Sequence, residues 1–202
     1  MKAALSVAAA AVLSMAVSGC FDEPEPAYRT VPEGARVYLQ DRGLKDLSAH
    51  AAQLRPELVD YVNLDRNLLE VFPAELTALK GLKWLRLNRN RLSSLPDLSG
   101  LASLRRIYLK GNRFTAVPEA LKDLASLTDV DLSGNPISEV PEWFVKMEGL
   151  ENVSLSSTRI RKLPADLGAW KTLSSLQLGG LDIPPDEMAR IRAALPKVAI
   201  VF

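Results

Sequence analysis

The chain is expected to fold as an elongated α/β solenoid, a stack of short parallel strands joined by short helical or irregular return segments. Three observations lead there. One pattern, L-x-x-L-x-L-x-x-N-x-L-x-x-L-P, opens at Leu82, Leu104 and Leu127 with a period of about 23 residues. Inside each copy the Leu-x-Leu alternation has the two-residue period of a strand, apolar inward and polar outward. A single copy cannot bury its own leucines, so each must stack on its neighbours.

The amino terminus precedes this array. Met1-Lys2 leads into AALSVAAAAVLSMAVSG and then Cys20, the chain's one cysteine. A helix of that run would be roughly 25 Å long, short of the ~30 Å hydrocarbon core, and it reads as a secretory signal over residues 1–19. Val17-Ser18-Gly19-Cys20 is similar to the lipobox of bacterial lipoproteins. That resemblance implies cleavage before Cys20 and acylation of its thiol and freed amine, a palmitate-type anchor holding the protein on a bilayer. In some bacteria aspartate after the cysteine retains such lipoproteins at the inner membrane; Phe21 follows Cys20 here, so the resemblance implies the outer membrane of a bacterial cell envelope. Residues 20–34 are acidic, proline-bearing and aperiodic, and are expected to form an extended tether.

The repeat domain is expected over residues 35–202, with about seven repeats. In the first, Val37 and Leu39 form the strand, Arg42 stands where an asparagine recurs later, and the return segment SAHAAQLRPEL is irregular. His50, the chain's one histidine, lies in that segment and reads as structural. The second copy carries Val62, Leu64, Asn67, Leu69 and Pro73. The third is one residue shorter after Pro96. The fourth and fifth are regular, from Leu104 and Leu127. In the sixth, Thr158 replaces the asparagine and Trp170 fills the last core position; in the seventh, Leu181 does so. Pro184-Pro185-Asp186-Glu187 then opens a helix with Met188, Ile191 and Leu195 on one face. Val198 and Ile200 give a last edge strand, so residues 184–202 read as a carboxy-terminal cap.

Asn67, Asn90, Asn112 and Asn135 are expected to form a buried ladder. An amide side chain offers two donors and an acceptor to the backbone groups that each turn exposes. Their role is structural.

The repeat pattern resembles that of the leucine-rich repeat family over nearly all of the chain after residue 34. The resemblance implies a right-handed superhelix whose parallel sheet lines the concave side. It also implies that the residues alternating with the leucines point outward there. Tyr38, Tyr61, Asp65, Trp84, Arg86, Arg106, Tyr108, Lys110, Asp129 and Asp131 fall on those positions. Aromatic and arginine side chains are what interaction hot spots favour. Tyr61, Trp84, Arg86, Arg106 and Tyr108 are the expected anchor for a protein partner, with Asp129 and Asp131 orienting it by charge. Trp143, on the convex return segment, is either a contact or a shield for the core.

Composition narrows the remaining classes. One cysteine and one histidine exclude disulfide frameworks, Cys/His zinc sites and Cys–His catalytic pairs. No cofactor, metal or catalytic residue is expected. Without Lys2, basic and acidic residues balance at 24 each, so bulk charge gives no reason to expect nucleic acid. A monomeric, non-enzymatic protein-binding module is therefore the leading expectation. A glycan or peptidoglycan binder is the alternative, since aromatic and polar rows can stack sugar rings. A substrate-recognition module like those of bacterial leucine-rich-repeat ubiquitin-ligase effectors is more remote, since no ligase domain fits after Leu195.

Overall fold

The computed structural model describes residues 28–31 and 34–202. The proposed signal segment, Cys20 and most of the proposed tether lie outside the described residues. Among the described residues, nine strands form one sheet in sequence order. They are β1 (Tyr28–Val31), β2 (Gly34–Tyr38), β3 (Val59–Asn63), β4 (Trp84–Arg86), β5 (Arg106–Tyr108), β6 (Asp129–Asp131), β7 (Asn152–Ser154), β8 (Ser175–Gln177) and β9 (Ala199–Val201). From β2 to β9 every neighbouring pair is parallel. Parallel neighbours need a crossover to return the chain to the same edge, and the residues after each asparagine supply it.

One register runs through the stack. Val62, Leu85, Ile107, Val130, Val153 and Leu176 pair in line from β3 to β8, each buried. Leu64, Leu87, Leu109, Leu132, Leu155 and Leu178, just past the strand ends, form a second buried column. Phe72, Phe144 and Trp170 fill the core from the convex side, where the Trp170 indole donates to the Phe144 carbonyl at 3.2 Å. Truncating one such leucine to alanine typically costs about 2–5 kcal/mol.

Most return segments hold a short helical piece. Pro73, Pro118 and Pro141 hold extended backbone before 3-10 turns at Ala74–Ala78 and Glu119–Leu121 and the one-turn helix α1 (Glu142–Val145). Further 3-10 turns lie at Ser48–Gln53 and Leu167–Ala169. The third repeat, one residue short, has no helical turn between Pro96 and Leu104.

A left-handed residue ends each strand segment: Asp41, Arg66, Arg89, Gly111, Gly134, Ser157 and Gly180 take φ between 53° and 73°. The asparagine after it turns its side chain inward. Asn67, Asn90, Asn112 and Asn135 are buried, and each donates to a carbonyl of its own strand segment and one of the preceding repeat. Each also accepts from a backbone N–H of the preceding repeat, as Asn112 does from Leu92 at 3.0 Å. Thr158 keeps only the local contact, its hydroxyl donating to the Leu155 carbonyl.

Both ends of the column are covered. Tyr28–Val31, assigned from composition to the tether, instead pairs antiparallel with β2. An open sheet edge leaves a row of unpaired backbone groups, and this hairpin occupies them. At the other end, α2 (Pro185–Ala194) buries Ile191, with Leu195 just beyond it, and β9 extends the sheet. Glu187 is only 7% exposed. Its carboxylate accepts from the Leu163 N–H and pairs with Arg190, whose guanidinium donates to the carbonyls of Leu163, Pro164 and Ala165. This pair ties the cap helix to the return segment of the sixth repeat.

Candidate functional site

The outward face of the parallel strands is built in columns by the register. Arg36, Tyr61, Trp84, Arg106, Asp129, Asn152 and Ser175 pair successively in one column. Tyr38, Asn63, Arg86, Tyr108, Asp131, Ser154 and Gln177 form the next. Asp65 and Lys110 stand just past their strands.

Four aromatic rings join across four strands. Tyr38 lies 5.3 Å from Tyr61, Tyr61 lies 5.1 Å from Trp84, and Trp84 lies 5.8 Å from Tyr108, the last two pairs edge to face. Edge-to-face packing matches the positive edge of one ring to the negative face of another, at about 0.5–1.5 kcal/mol per pair beyond area burial. All four side chains are half-buried. Burial raises the phenol pKa of both Tyr61 and Tyr108 above the ordinary value, so they stay protonated and neutral at physiological pH.

Arginines cover this ridge. Arg106 lies 5.1 Å over Trp84, Arg86 lies 5.7 Å over Tyr108, and Arg36 lies 6.0 Å over Tyr61. Two of them are also held by carboxylates. Arg86 donates to Asp65 at 2.8 Å, and Arg106 sits 3.6 Å from Asp129. Asp129 further accepts from Thr128 and Asn152. Asp131 accepts from the backbone N–H and hydroxyl of Ser133.

Asp65 departs from the outward reading. It is 3% exposed, and its two oxygens are taken by Arg86 and by the Asn88 backbone and side chain. It fixes the guanidinium of Arg86 in place and offers no free surface to a partner. Lys110 and Arg106 are exposed. Beyond Tyr108 the face dips into a hollow of about 210 Å³ over β5 to β8. Its lining of carboxylate, amide and hydroxyl groups comes from the outward positions of β6, β7 and β8. Trp143 is half-buried, edge to face on Phe144, and lines a convex depression. Among the described residues the buried Nδ1 of His50 has no hydrogen-bond partner. Among the described residues no group of three or more His, Cys, Asp or Glu side chains is placed to hold a metal ion.

This geometry can be set beside known proteins. Residues 57–114 match the Leucine rich repeat family, and residues 126–147 match a second Leucine Rich Repeat profile. A solved structure of an LRR protein of Leptospira interrogans aligns at TM-score 0.61 with 27% identity, covering 71% of this chain and 43% of that one. The stretches 57–114 and 126–147 are leucine-rich repeats. Mouse Podocan is 36% identical over 110 residues, covering 50% of this chain and 18% of Podocan. The chain thus spans less than half of either relative. The leucine-rich repeat fold explains why the face is open: strands take the concave side, return segments take the convex side, and the outward columns meet no other part of the core.

Proposed function

We propose that this protein is a non-enzymatic recognition module of the bacterial cell envelope that binds a protein partner on its concave face. The observation that carries the reading is the ridge of Tyr38, Tyr61, Trp84 and Tyr108 with guanidinium groups held over three of its rings. Such a ridge is ordered before any partner arrives, so little side-chain entropy is lost on binding. Binding modules in general place aromatic and arginine anchors of this kind at the centre of their contacts. Leucine-rich repeat domains generally bind proteins, which agrees with this reading. The anchor is a lipid on Cys20, supported by the small residues Val17, Ser18 and Gly19 before it.

A photoreactive residue at position 108, crosslinked in intact envelopes and followed by mass spectrometry, tests the partner. One protein recovered from position 108 and not from Lys171 on the convex side supports the reading. Retention on purified sacculi without a protein crosslink would favour the glycan alternative. For the anchor, Cys20→Ser is expected to move the protein from the detergent-requiring membrane fraction to the soluble one. Labelled palmitate still attached to that variant would sink the assignment.

A further inference from the structure

The hollow beside Tyr108 has a chemistry distinct from the ridge. It is lined by Tyr108, Asp129, Asp131, Asn152, Ser154 and Gln177, among others. Asp129 has its cation in Arg106. Asp131 has only Ser133, and among the described residues no ion pair ends on it. The neighbouring arginines are committed elsewhere, Arg86 to Asp65 and Arg106 to the Trp84 ring and Asp129. Register places Tyr108 between Arg86 and Asp131 in one column, so the hollow lies on the side of the ring away from Arg86.

An apolar group closing this hollow would strip water from the Asp131 carboxylate and give nothing back. An acidic group would add repulsion. A cation meets a carboxylate with spare lone pairs, an aromatic ring and neutral acceptors on Ser154 and Gln177.

We propose that the hollow receives a lysine or arginine side chain of the protein partner, between Tyr108 and Asp131, while an aromatic or apolar side chain of the same segment seats on Trp84. This rests on the concave-face reading and names the partner chemistry that the face selects. Strands lie about 4.8 Å apart, so the path from Trp84 on β4 to the gap between Tyr108 on β5 and Asp131 on β6 is about 7 Å. That is about two residues of extended chain at about 3.3 Å each, so the recognised segment reads aromatic, one of any residue, then basic.

The test pans phage-displayed random twelve-residue peptides on the full chain, with counter-selection on the Trp84→Ala variant. Enriched peptides are expected to carry that spacing. Asp131→Asn keeps an acceptor for Ser133 but removes the charge, and should weaken the synthetic peptides by roughly tenfold or more, with smaller losses at high salt. Replacing the peptide's basic residue by norleucine should lose a similar factor and abolish the response to Asp131→Asn. Peptides that depend on Trp84 but carry no basic residue, or bind Asp131→Asn as well as the wild type, overturn the hollow's role and leave the concave face standing. Enrichment that survives Trp84→Ala, or no enrichment at all, overturns both.

Discussion

Replacing the ladder asparagines by leucine should destabilise the protein unequally, and the hydrogen bonds give the order. Asn112 donates to the Leu87 and Leu109 carbonyls, but Leu87 also accepts from Asn90 and Leu109 also accepts from Asn135. Asn112→Leu therefore strands only the Leu92 N–H. Asn135 is the last rung. It is the donor to the Leu132 carbonyl and the acceptor for the Phe114 N–H, and neither group has a second partner in the described structure. At about 1–3 kcal/mol for each buried unpaired group, Asn112→Leu should cost about 1–3 kcal/mol and Asn135→Leu about 2–6 kcal/mol. Urea denaturation of the two variants beside the wild type reads this as midpoint shifts at unchanged slope. Equal losses, or a larger loss for Asn112→Leu, would refute a ladder in which neighbouring rungs share carbonyls.

Gly111→Ala should lose about 1 kcal/mol, because the strain is in the left-handed backbone. The nearest atom to the added carbon is Arg89 Cγ at 3.5 Å, an ordinary contact. Ser157→Gly at the equivalent turn should be neutral or stabilising by a few tenths of a kcal/mol; a clear loss in thermal melts would contradict the turn argument. Hydrogen bonding from Arg190 holds the Glu187 carboxyl below its ordinary pKa of 4.5. A depressed carboxyl contributes stability above its unfolded value, and that contribution is lost as pH falls towards the folded value. The stability gap between wild type and Glu187→Gln should thus be widest above about pH 5 and close as the pH drops below about 4. A gap independent of pH would show that the charge is not what matters.

Much of this molecule is legible in its sequence because a solenoid makes local spacing into long-range contact. Once Leu82, Leu104 and Leu127 are aligned, Trp84 must neighbour Arg106, and Arg106 must neighbour Asp129. The single missing residue after Pro96 likewise accounts for the lost helical turn of the third repeat. What spacing leaves out is reach. The outward pattern gives Asp65 a surface position, yet Arg86 and Asn88 of the next repeat fold over it. Glu187 reads as an exposed acid in a first helical turn, yet it folds back onto the sixth repeat, where it accepts from the Leu163 N–H and pairs with Arg190. Tyr28–Val31 lay beside prolines and acids whose composition argues against structure, but its alternation suits a strand and the β2 edge required cover.

The ridge of Tyr38, Tyr61, Trp84 and Tyr108 with its arginines is the proposed contact surface. Its most direct test is the affinity of the Trp84→Ala, Arg106→Ala double variant for the protein captured from position 108. A loss of about 2–4 kcal/mol in binding, with the melting curve close to that of the wild type, is the predicted result. Unchanged affinity in a folded double variant would place the contact elsewhere on the molecule.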